Sequence, residues 1–298
     1  MFQFVDKKKG GIYNKNMENI DIIEEEIEEI KDNVGESKPD FSTIVAEANY
    51  DWINDETIVV IVKSDKSEMS DKLSSVLVCG KPMVDWVKMA TSGPCQKVIK
   101  EPAQDQFLNV LKGLAIGKKY LALFYSDTPL LERATFCEIM DYFAKNRYNI
   151  VELPRGYIFS VDYLMNIDVL FSPVKKTFAA HQFEQINTTK GISSASKVLQ
   201  AKILEYHKNN GVTLIGEDTI FIDADVEIEE GTVIYPNNVL KGQTYIGKNV
   251  TLDSGNIICD SIVADEASVV ASYVFKSKIK KGQNVGPFVK ANEEVIGD

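Results

Sequence analysis

Two polar segments contain residues that could bind a ligand or take part in catalysis, and each follows a short apolar run. The segment KSDKSEMSDK begins at Lys63, after the run Thr57–Val62, and Ser126-Asp127-Thr128-Pro129 follows the run Tyr120–Tyr125. Short, mostly β-branched or aromatic runs are typical of buried strands in a parallel sheet. Such sheets bind ligands at the carboxyl ends of their strands. We therefore expect the functional site at these two loops.

Cysteine and histidine residues are few and scattered. Cys79, Cys95, Cys137 and Cys259 form no CxxC pair, which argues against a zinc cluster and favours reduced, partly buried thiols. The two histidines are His181 and His207. A lone histidine without a ligand partner is weak evidence for a site, so we expect His181, which lies near Phe178 and Phe183, to be a surface or packing residue.

The elements that must position these loops alternate between strand and helix. Tyr157–Val161 is a third strand candidate, and helices are expected from Met83, over Pro129–Lys145 and over Ser196–Lys208. Asp127 or Thr128 could cap the helix that Pro129 begins, because proline is tolerated in the first helical turn. This alternation predicts an α/β domain with a mainly parallel sheet.

The last third of the chain repeats an aliphatic residue at every sixth position. The repeat comprises Ile222, Ile228, Ile234, Leu240, Ile246, Leu252 and Ile258. A period of six fits neither a helix nor a lone strand, but it is typical of a hexapeptide β-helix whose inward side chains stack from coil to coil. After Ile258 the steps become irregular through Val263, Val269, Val274, Ile279 and Val285, which indicates a loop or an irregular corner.

Composition and charge exclude several classes of protein. The chain has 298 residues and a formal net charge of −11, which argues against nucleic acid as a partner. Its apolar runs are too short to span a bilayer, and no membrane partner is expected. The first residues lack the apolar stretch of a signal peptide, so the expected location is cytoplasmic.

The excess negative charge is concentrated near the start. Nine acidic residues lie between Glu18 and Glu36 with the single Lys31, and Ile20, Ile23, Ile27 and Ile30 recur at helical spacing. This pattern predicts an acidic amphipathic helix that tethers the segment to the rest of the protein and leaves its acidic face in solvent. The alternative is a helix that binds a partner. Residues 35–40 are predicted to be a linker.

Several segments together resemble one family. These are the stretch from Lys197 to Gly286-Pro287-Phe288, CGKPMVDWV (79–87), YSDTPLL (125–131) and QINTTKGISSASKVL (185–199). They are similar to the bifunctional N-acetylglucosamine-1-phosphate uridylyltransferase / glucosamine-1-phosphate acetyltransferase family. The resemblance runs from about Thr57 to Phe288, with a compressed first half. It implies a compressed Rossmann-like nucleotidyltransferase domain followed by a left-handed parallel β-helix, which often trimerises in such proteins.

The resemblance also implies a metal site. Asp127 and Asn187 align with the aspartate and asparagine that hold Mg²⁺ in the family. Magnesium in phosphoryl-transfer sites is usually bound by one or two protein oxygens plus substrate phosphates. A helix cap at Asp127 and a turn at Asn187 are the alternatives, because motif matches carry false positives.

Other family motifs are eroded. The glycine-rich loop that holds phosphates on backbone N–H groups corresponds to Lys63–Met69, which contains no glycine. Glu68 stands at the family's arginine and Ser75 at its lysine, and Gln104 or Gln106 is the nearest remnant of its base-recognition block. Pro154-Arg155-Gly156 stands where its sugar-binding motif is expected. In the family a histidine base within or beside the β-helix serves acetyl transfer; both histidines here precede the first coil, so that activity is not expected.

Three functional hypotheses follow from these residues. The favoured one is a divergent sugar-1-phosphate nucleotidyltransferase with impaired or lost catalysis that keeps either binding of UTP or a nucleotide sugar or a scaffolding role. The first alternative is an active uridylyltransferase in which Lys63, Lys66 or Lys72 replaces the missing cations. The second is a non-catalytic oligomeric scaffold, with a trimer formed through the β-helix. The expected domains are an extension (1–56), the nucleotidyltransferase-like domain (57–194), a connecting helix (195–211) and the β-helix (212–298).

Overall fold

The computed structural model describes residues 23, 25, 26, 51–63 and 76–297. The chain divides into two compact units, of which one is Asp40–Leu199. The other combines Met1–Pro39 with Gln200–Asp298. No helix in the described part of the chain is long and apolar enough to cross a membrane.

The first unit contains a five-stranded mixed sheet. Its strands are β1 (Thr57–Lys63), β2 (Cys95–Lys100), β3 (Tyr120–Tyr125), β4 (Ile150–Leu153) and β5 (Gly156–Ser160). Their spatial order is β2-β1-β3-β5-β4. The pairs of β1 with β2 and β3 are parallel, whereas β5 runs antiparallel to both β3 and β4. The third strand expected from the sequence thus exists one residue earlier and belongs to a hairpin with β4.

Strand β1 is buried on both faces of the sheet. Its residues from Thr57 to Val62 are at most 4% exposed. Val59 and Ile61 contribute to one apolar cluster, and Val60 and Val62 to the cluster on the opposite face. A strand covered on both faces needs consecutive apolar residues, which explains the uninterrupted run.

Among the described residues, five α-helices belong to this unit, and a sixth begins in this unit and ends in the other. They are α1 (Asp51–Glu56), α2 (Met83–Ala90), α3 (Phe107–Leu114), α4 (Arg133–Lys145), α5 (Val161–Met165) and α6 (Thr189–Asn209). The prediction that a helix begins at Pro129 is wrong, because α4 begins at Arg133 and Glu132 is its N-cap residue. The Thr128 hydroxyl instead donates a hydrogen bond of 2.9 Å to the Tyr125 carbonyl oxygen. Asp127 is therefore no helix cap.

The second unit is the left-handed parallel β-helix. Fifteen two- or three-residue strands follow one another: β6 (Thr213–Leu214), β7 (Phe221–Ile222), β8 (Glu227–Ile228), β9 (Val233–Ile234), β10 (Val239–Lys241), β11 (Tyr245–Ile246), β12 (Thr251–Leu252), β13 (Ile257–Cys259), β14 (Ile262–Val263), β15 (Ser268–Val269), β16 (Tyr273–Phe275), β17 (Lys278–Ile279), β18 (Asn284–Val285), β19 (Lys290–Asn292) and β20 (Val295–Ile296). They form three parallel five-stranded sheets. Sheet 1 contains β6, β9, β12, β15 and β18; sheet 2 contains β7, β10, β13, β16 and β19; sheet 3 contains β8, β11, β14, β17 and β20.

The irregular steps after Ile258 are shortened corners, and the coils continue through them. Ile258 pairs with Val274 and Val263 pairs with Ile279 in unbroken parallel register. Four steps between inward aliphatic residues shrink from six residues to five, and each of these corners contains a non-glycine residue with positive φ: Asp260, Ala271, Lys276 and Glu293. Of the two alternatives, the irregular corner is correct.

Buried polar side chains connect neighbouring coils at the corners. Asn256 Nδ2 donates to Asn238 Oδ1 at 2.9 Å, and the Ser272 N–H donates to Asn256 Oδ1 at 2.9 Å. Asn238 and Asn256 are fully buried. Because each amide bonds the coil next to it, these buried groups are satisfied where an unpaired amide would be costly. This asparagine ladder fixes the stacking register of the coils.

The described part of the acidic segment lies against sheet 3. Ile23 is 1% exposed and packs with Ile262 and Tyr245, and Glu26 pairs with Lys278. This is the contact that a tethering helix makes. The other isoleucines of the predicted stripe, Ile20, Ile27 and Ile30, lie outside the described residues.

Candidate nucleotide site

The candidate site lies where β3 ends. The Ser126 N–H donates to the Val62 carbonyl oxygen at 2.9 Å, which extends the parallel pairing of β1 and β3 by one bond. Asp127 follows at once and is 9% exposed. The sequence thus places a buried carboxylate at the carboxyl edge of the sheet, where α/β proteins bind ligands.

Arg155 binds this carboxylate in a bidentate ion pair. Its Nε donates to Asp127 Oδ1 at 3.1 Å and its Nη2 donates to Oδ2 at 2.6 Å. Gln185 Nε2 donates to the same Oδ2 at 2.9 Å. Parallel hydrogen bonds between a guanidinium and a carboxylate fix the orientation of both groups. Both Asp127 oxygens are therefore engaged.

The hairpin of β4 and β5 delivers Arg155 to this position. Pro154 and Arg155 form its two-residue turn, and Gly156 pairs with Phe124 near the end of β3. Since β5 runs antiparallel to β3, the turn lies at the same edge as Asp127. The Arg155 guanidinium carbon also lies 4.1 Å from the centroid of the Tyr125 ring, a cation–π contact.

The ion pair is largely shielded from water. The side chains of Arg155 and Asp127 are 23% and 12% exposed. Burial, followed by the nearby Glu101 carboxylate, raises the pKa of Tyr125 above its ordinary value, and Arg155 opposes that rise. The phenol is therefore protonated at neutral pH and offers an O–H group beside the guanidinium.

Asn187 lies on a segment that runs alongside Asp127. The Ile186 N–H donates to the Asp127 carbonyl oxygen at 2.8 Å, so the two residues of the predicted metal pair come from adjacent pieces of chain. The Asn187 side chain is exposed. The structure brings the two segments together through the backbone, and the metal pair stays a prediction.

These residues do not fit a resident Mg²⁺ in the observed arrangement. A magnesium ion needs several oxygen ligands, and Arg155 and Gln185 already occupy three of the four lone-pair sites of the Asp127 carboxylate. A divalent cation would also meet the positive guanidinium at close range. Within the described ranges, no group of three or more His, Cys, Asp or Glu residues could hold a metal.

The other described site residues predicted from the sequence, Lys63 and Gln104, lie on separate elements. Lys63 is exposed at the end of β1, and its carbonyl oxygen accepts a bond of 3.0 Å from the Glu101 N–H. Gln104 is exposed in the turn before α3. Lys66 and Lys72 lie outside the described residues, as do Glu68 and Ser75.

Sequence reasoning missed Arg155 and Gln185 as partners of Asp127. No spacing signal connects positions 127, 155 and 185. The available clue was an arginine in a two-residue turn between the apolar runs IVEL and GYIFS, since such a turn places its side chain at a sheet edge. The turn predicts where the Arg155 side chain lies, but it does not predict which residue the side chain binds.

The four cysteines and the two histidines lie on separate elements of the chain. Cys79 and Cys137 are buried, Cys95 is exposed and Cys259 is partly exposed, and none of these four described cysteines forms a disulfide. His181 is exposed in a short 3₁₀ turn. His207, near the end of α6, is 1% exposed, and burial lowers its pKa to about 4, so it is neutral at pH 7.

Comparisons with known proteins agree with the resemblance read from the sequence. No family model matches the chain. The bifunctional protein GlmU of Listeria monocytogenes serotype 4a (strain HCC23) is 32% identical over a 329-residue alignment, which covers 79% of this chain and 72% of the relative. The GlmU proteins of Streptococcus agalactiae serotype V (strain ATCC BAA-611 / 2603 V/R) and Clostridium botulinum (strain Eklund 17B / Type B) are 36% and 40% identical over 132 and 103 residues.

The shorter matches cover part of each protein. They span 42% and 35% of this chain but only 29% and 23% of the Streptococcus and Clostridium relatives. Among solved structures, Rv0371c from Mycobacterium tuberculosis H37Rv matches 48% of this chain and 98% of its own at 11% identity, with a TM-score of 0.36, which supports no conclusion. The long Listeria match, together with the α/β unit and the parallel β-helix, decides the relationship: the chain belongs to the family of the bifunctional protein GlmU.

Proposed function

We propose that this chain is a divergent sugar-1-phosphate nucleotidyltransferase that binds a nucleotide sugar and has impaired or lost catalysis. The observation that carries the proposal is the engagement of both Asp127 oxygens by Arg155 and Gln185. Family membership supports the ligand class, and a nucleotide-sugar ligand is consistent with a cytoplasmic location.

Loss of the metal position explains the expected loss of turnover. Phosphoryl and nucleotidyl transfer depends on positioning and on cations that neutralise the charge developing on phosphate oxygens. The segment after β1 has no glycine between Lys63 and Met69 to bring backbone N–H groups close to a phosphate. With Asp127 occupied, two of the usual sources of that stabilisation are removed together.

Pyrophosphate release tests this proposal. Purified protein mixed with UTP, N-acetylglucosamine-1-phosphate and Mg²⁺ is expected to release no pyrophosphate above the background without protein, while a thermal melt shows that it is folded. The alternative is an active Mg²⁺-dependent uridylyltransferase in which Lys63, Lys66 or Lys72 supplies the missing charge. Turnover that disappears in Asp127→Ala would establish that alternative and overturn the proposal of lost catalysis.

We also propose that the β-helix forms a homo-oligomer, expected to be a trimer, through the outer face of sheet 2. Phe221, Val239, Ile257 and Tyr273 align on that face by strand register, and Lys290 takes the fifth position. Ile257 and Tyr273 are 43% and 38% exposed. The corresponding outer positions of sheet 1 are polar in four of five strands: Thr213, Thr251, Ser268 and Asn284. An aligned apolar stripe of this kind marks an interaction surface.

Light scattering after size-exclusion chromatography checks the oligomer. Ile257→Lys is expected to convert the trimer to monomer, because it places a charge in the centre of the apolar stripe. Thr251→Lys adds the same charge to sheet 1 and is expected to leave the mass unchanged. A monomeric starting protein, or an unchanged mass in Ile257→Lys, would contradict the proposed interface.

A further inference from the structure

The guanidinium of Arg155 is held in a single orientation by three contacts. Nε and Nη2 bind Asp127, and the planar group stacks on Tyr125. Among the described residues, Nη1 has no hydrogen-bond partner. Because a guanidinium carries donors on all three nitrogens, Nη1 remains able to bind an anion without breaking the ion pair. The Arg155 side chain as a whole is 23% exposed, so part of it faces solvent.

The same edge of the sheet offers a second cation. Val62 pairs with Tyr125, and Lys63 follows Val62 directly with an exposed side chain. Arg155 reaches the edge from the turn before β5, on the other side of β3. Two positive side chains therefore flank the end of β3 from both neighbouring strands. Cations on both sides of the end of one strand suit a ligand with two linked phosphates.

We propose that Arg155 serves as a built-in cation at this site, so that the diphosphate of a nucleotide sugar binds here without a divalent metal. Asp127 acts as a positioning residue that orients the guanidinium. The inference rests on the proposed nucleotide-sugar function and adds the source of the positive charge. Arginine suits the task because its rigid plane presents several donors.

The proposal also explains why a metal and Arg155 exclude each other. A divalent cation bound to Asp127 would displace the guanidinium from the carboxylate that orients it. Removing the guanidinium should therefore free Asp127 for a metal. Arg155→Gln keeps a polar side chain in the turn, removes the charge, and is expected to exchange metal-independent binding for Mg²⁺-dependent binding.

Isothermal titration calorimetry with UDP-N-acetylglucosamine tests the proposal on the full chain, in EDTA and in MgCl₂. The protein is expected to bind with the same affinity in both buffers. In EDTA, Arg155→Gln is expected to bind about tenfold more weakly or worse, because a charge-assisted contact is lost. Added Mg²⁺ should restore part of that loss. Lys175→Gln, which breaks an exposed ion pair with Glu152 on β4, is the matched control and should bind like the parent.

Three results of this titration would contradict the proposal, and they differ in what else they contradict. Binding by the parent protein only in MgCl₂ would overturn the built-in cation and leave the proposed nucleotide-sugar function intact. Absence of binding in both buffers would overturn both. Undiminished binding by folded Arg155→Gln in EDTA would show that another group supplies the charge and would overturn the role of Arg155.

Discussion

Leu252→Ala is expected to lower the free energy of unfolding of the β-helix by about 2–5 kcal/mol, the usual loss for a buried leucine truncated to alanine. Leu252 is fully buried and stacks in register between Ile234 and Val269 of the neighbouring coils. Each coil contacts only the coils beside it, so the cavity has no other part of the core to fill it. Urea unfolding followed by circular dichroism measures the loss.

Thr251→Ala is the matched control for that variant. Thr251 precedes Leu252 on the same two-residue strand and faces outward. Its truncation is expected to change the free energy of unfolding by less than about 1 kcal/mol, as surface substitutions usually do. Equal losses in the two variants would contradict the assignment of Leu252 to an inward stack.

Gly156→Ala is expected to cost on the order of 3 kcal/mol of stability and to weaken nucleotide-sugar binding as well. Gly156 has φ of 148°, and an added Cβ would lie 2.2 Å from the Leu123 carbonyl oxygen. The backbone of β3 cannot yield at that contact without separating from β5. Because Gly156 directly follows Arg155, the shift also moves the guanidinium relative to Asp127.

Gly113→Ala controls for the addition of a methyl group. Gly113 lies in α3, where a Cβ would meet no atom within 4 Å. Alanine there is expected to stabilise the helix by about 0.5–1 kcal/mol, because glycine is a poor helix former. Urea unfolding and ligand titration on both variants separate the clash from the methyl group itself. A Gly156→Ala protein as stable as the parent would contradict the close approach of β3 and β5.

The β-helix could be predicted from the sequence because its six-residue repeat is long and each coil contacts only its neighbours along one axis. Seven aliphatic residues in a six-residue period define three faces and an inward direction. The shortened corners were ambiguous, since a five-residue step can mean an inserted loop or a tighter turn. Only the pairing of Ile258 with Val274 shows that the chain continues directly into the next coil.

The α/β unit was predictable in part. Apolar runs identified β1 and β3 because these strands are buried on both faces. Strand β4, the sequence IVEL, is four residues long and was missed, so the hairpin that carries Arg155 was missed with it. Its partner β5 runs antiparallel to β3, and a run of apolar residues does not encode strand direction.

The candidate site was likewise predictable only in part. Asp127 could be found because it follows a recognisable strand within a recognisable motif. Its hydrogen-bonding partners, Arg155 and Gln185, come from segments 28 and 58 residues away along the chain. Their convergence is a property of the sheet order and the hairpin turn, which no local pattern specifies. Chemistry that depends on such convergence requires the fold.

The corners of the β-helix have a consequence for protein engineering. A corner can lose one residue while the strands on either side keep their partners, as the step from Ile258 to Val263 does. Length variation is thus absorbed at corners and excluded from strands. Gly282, at a corner of sheets 3 and 1 with open space around it, is a natural position for inserting a foreign peptide. Such an insertion would project from one defined coil of the β-helix.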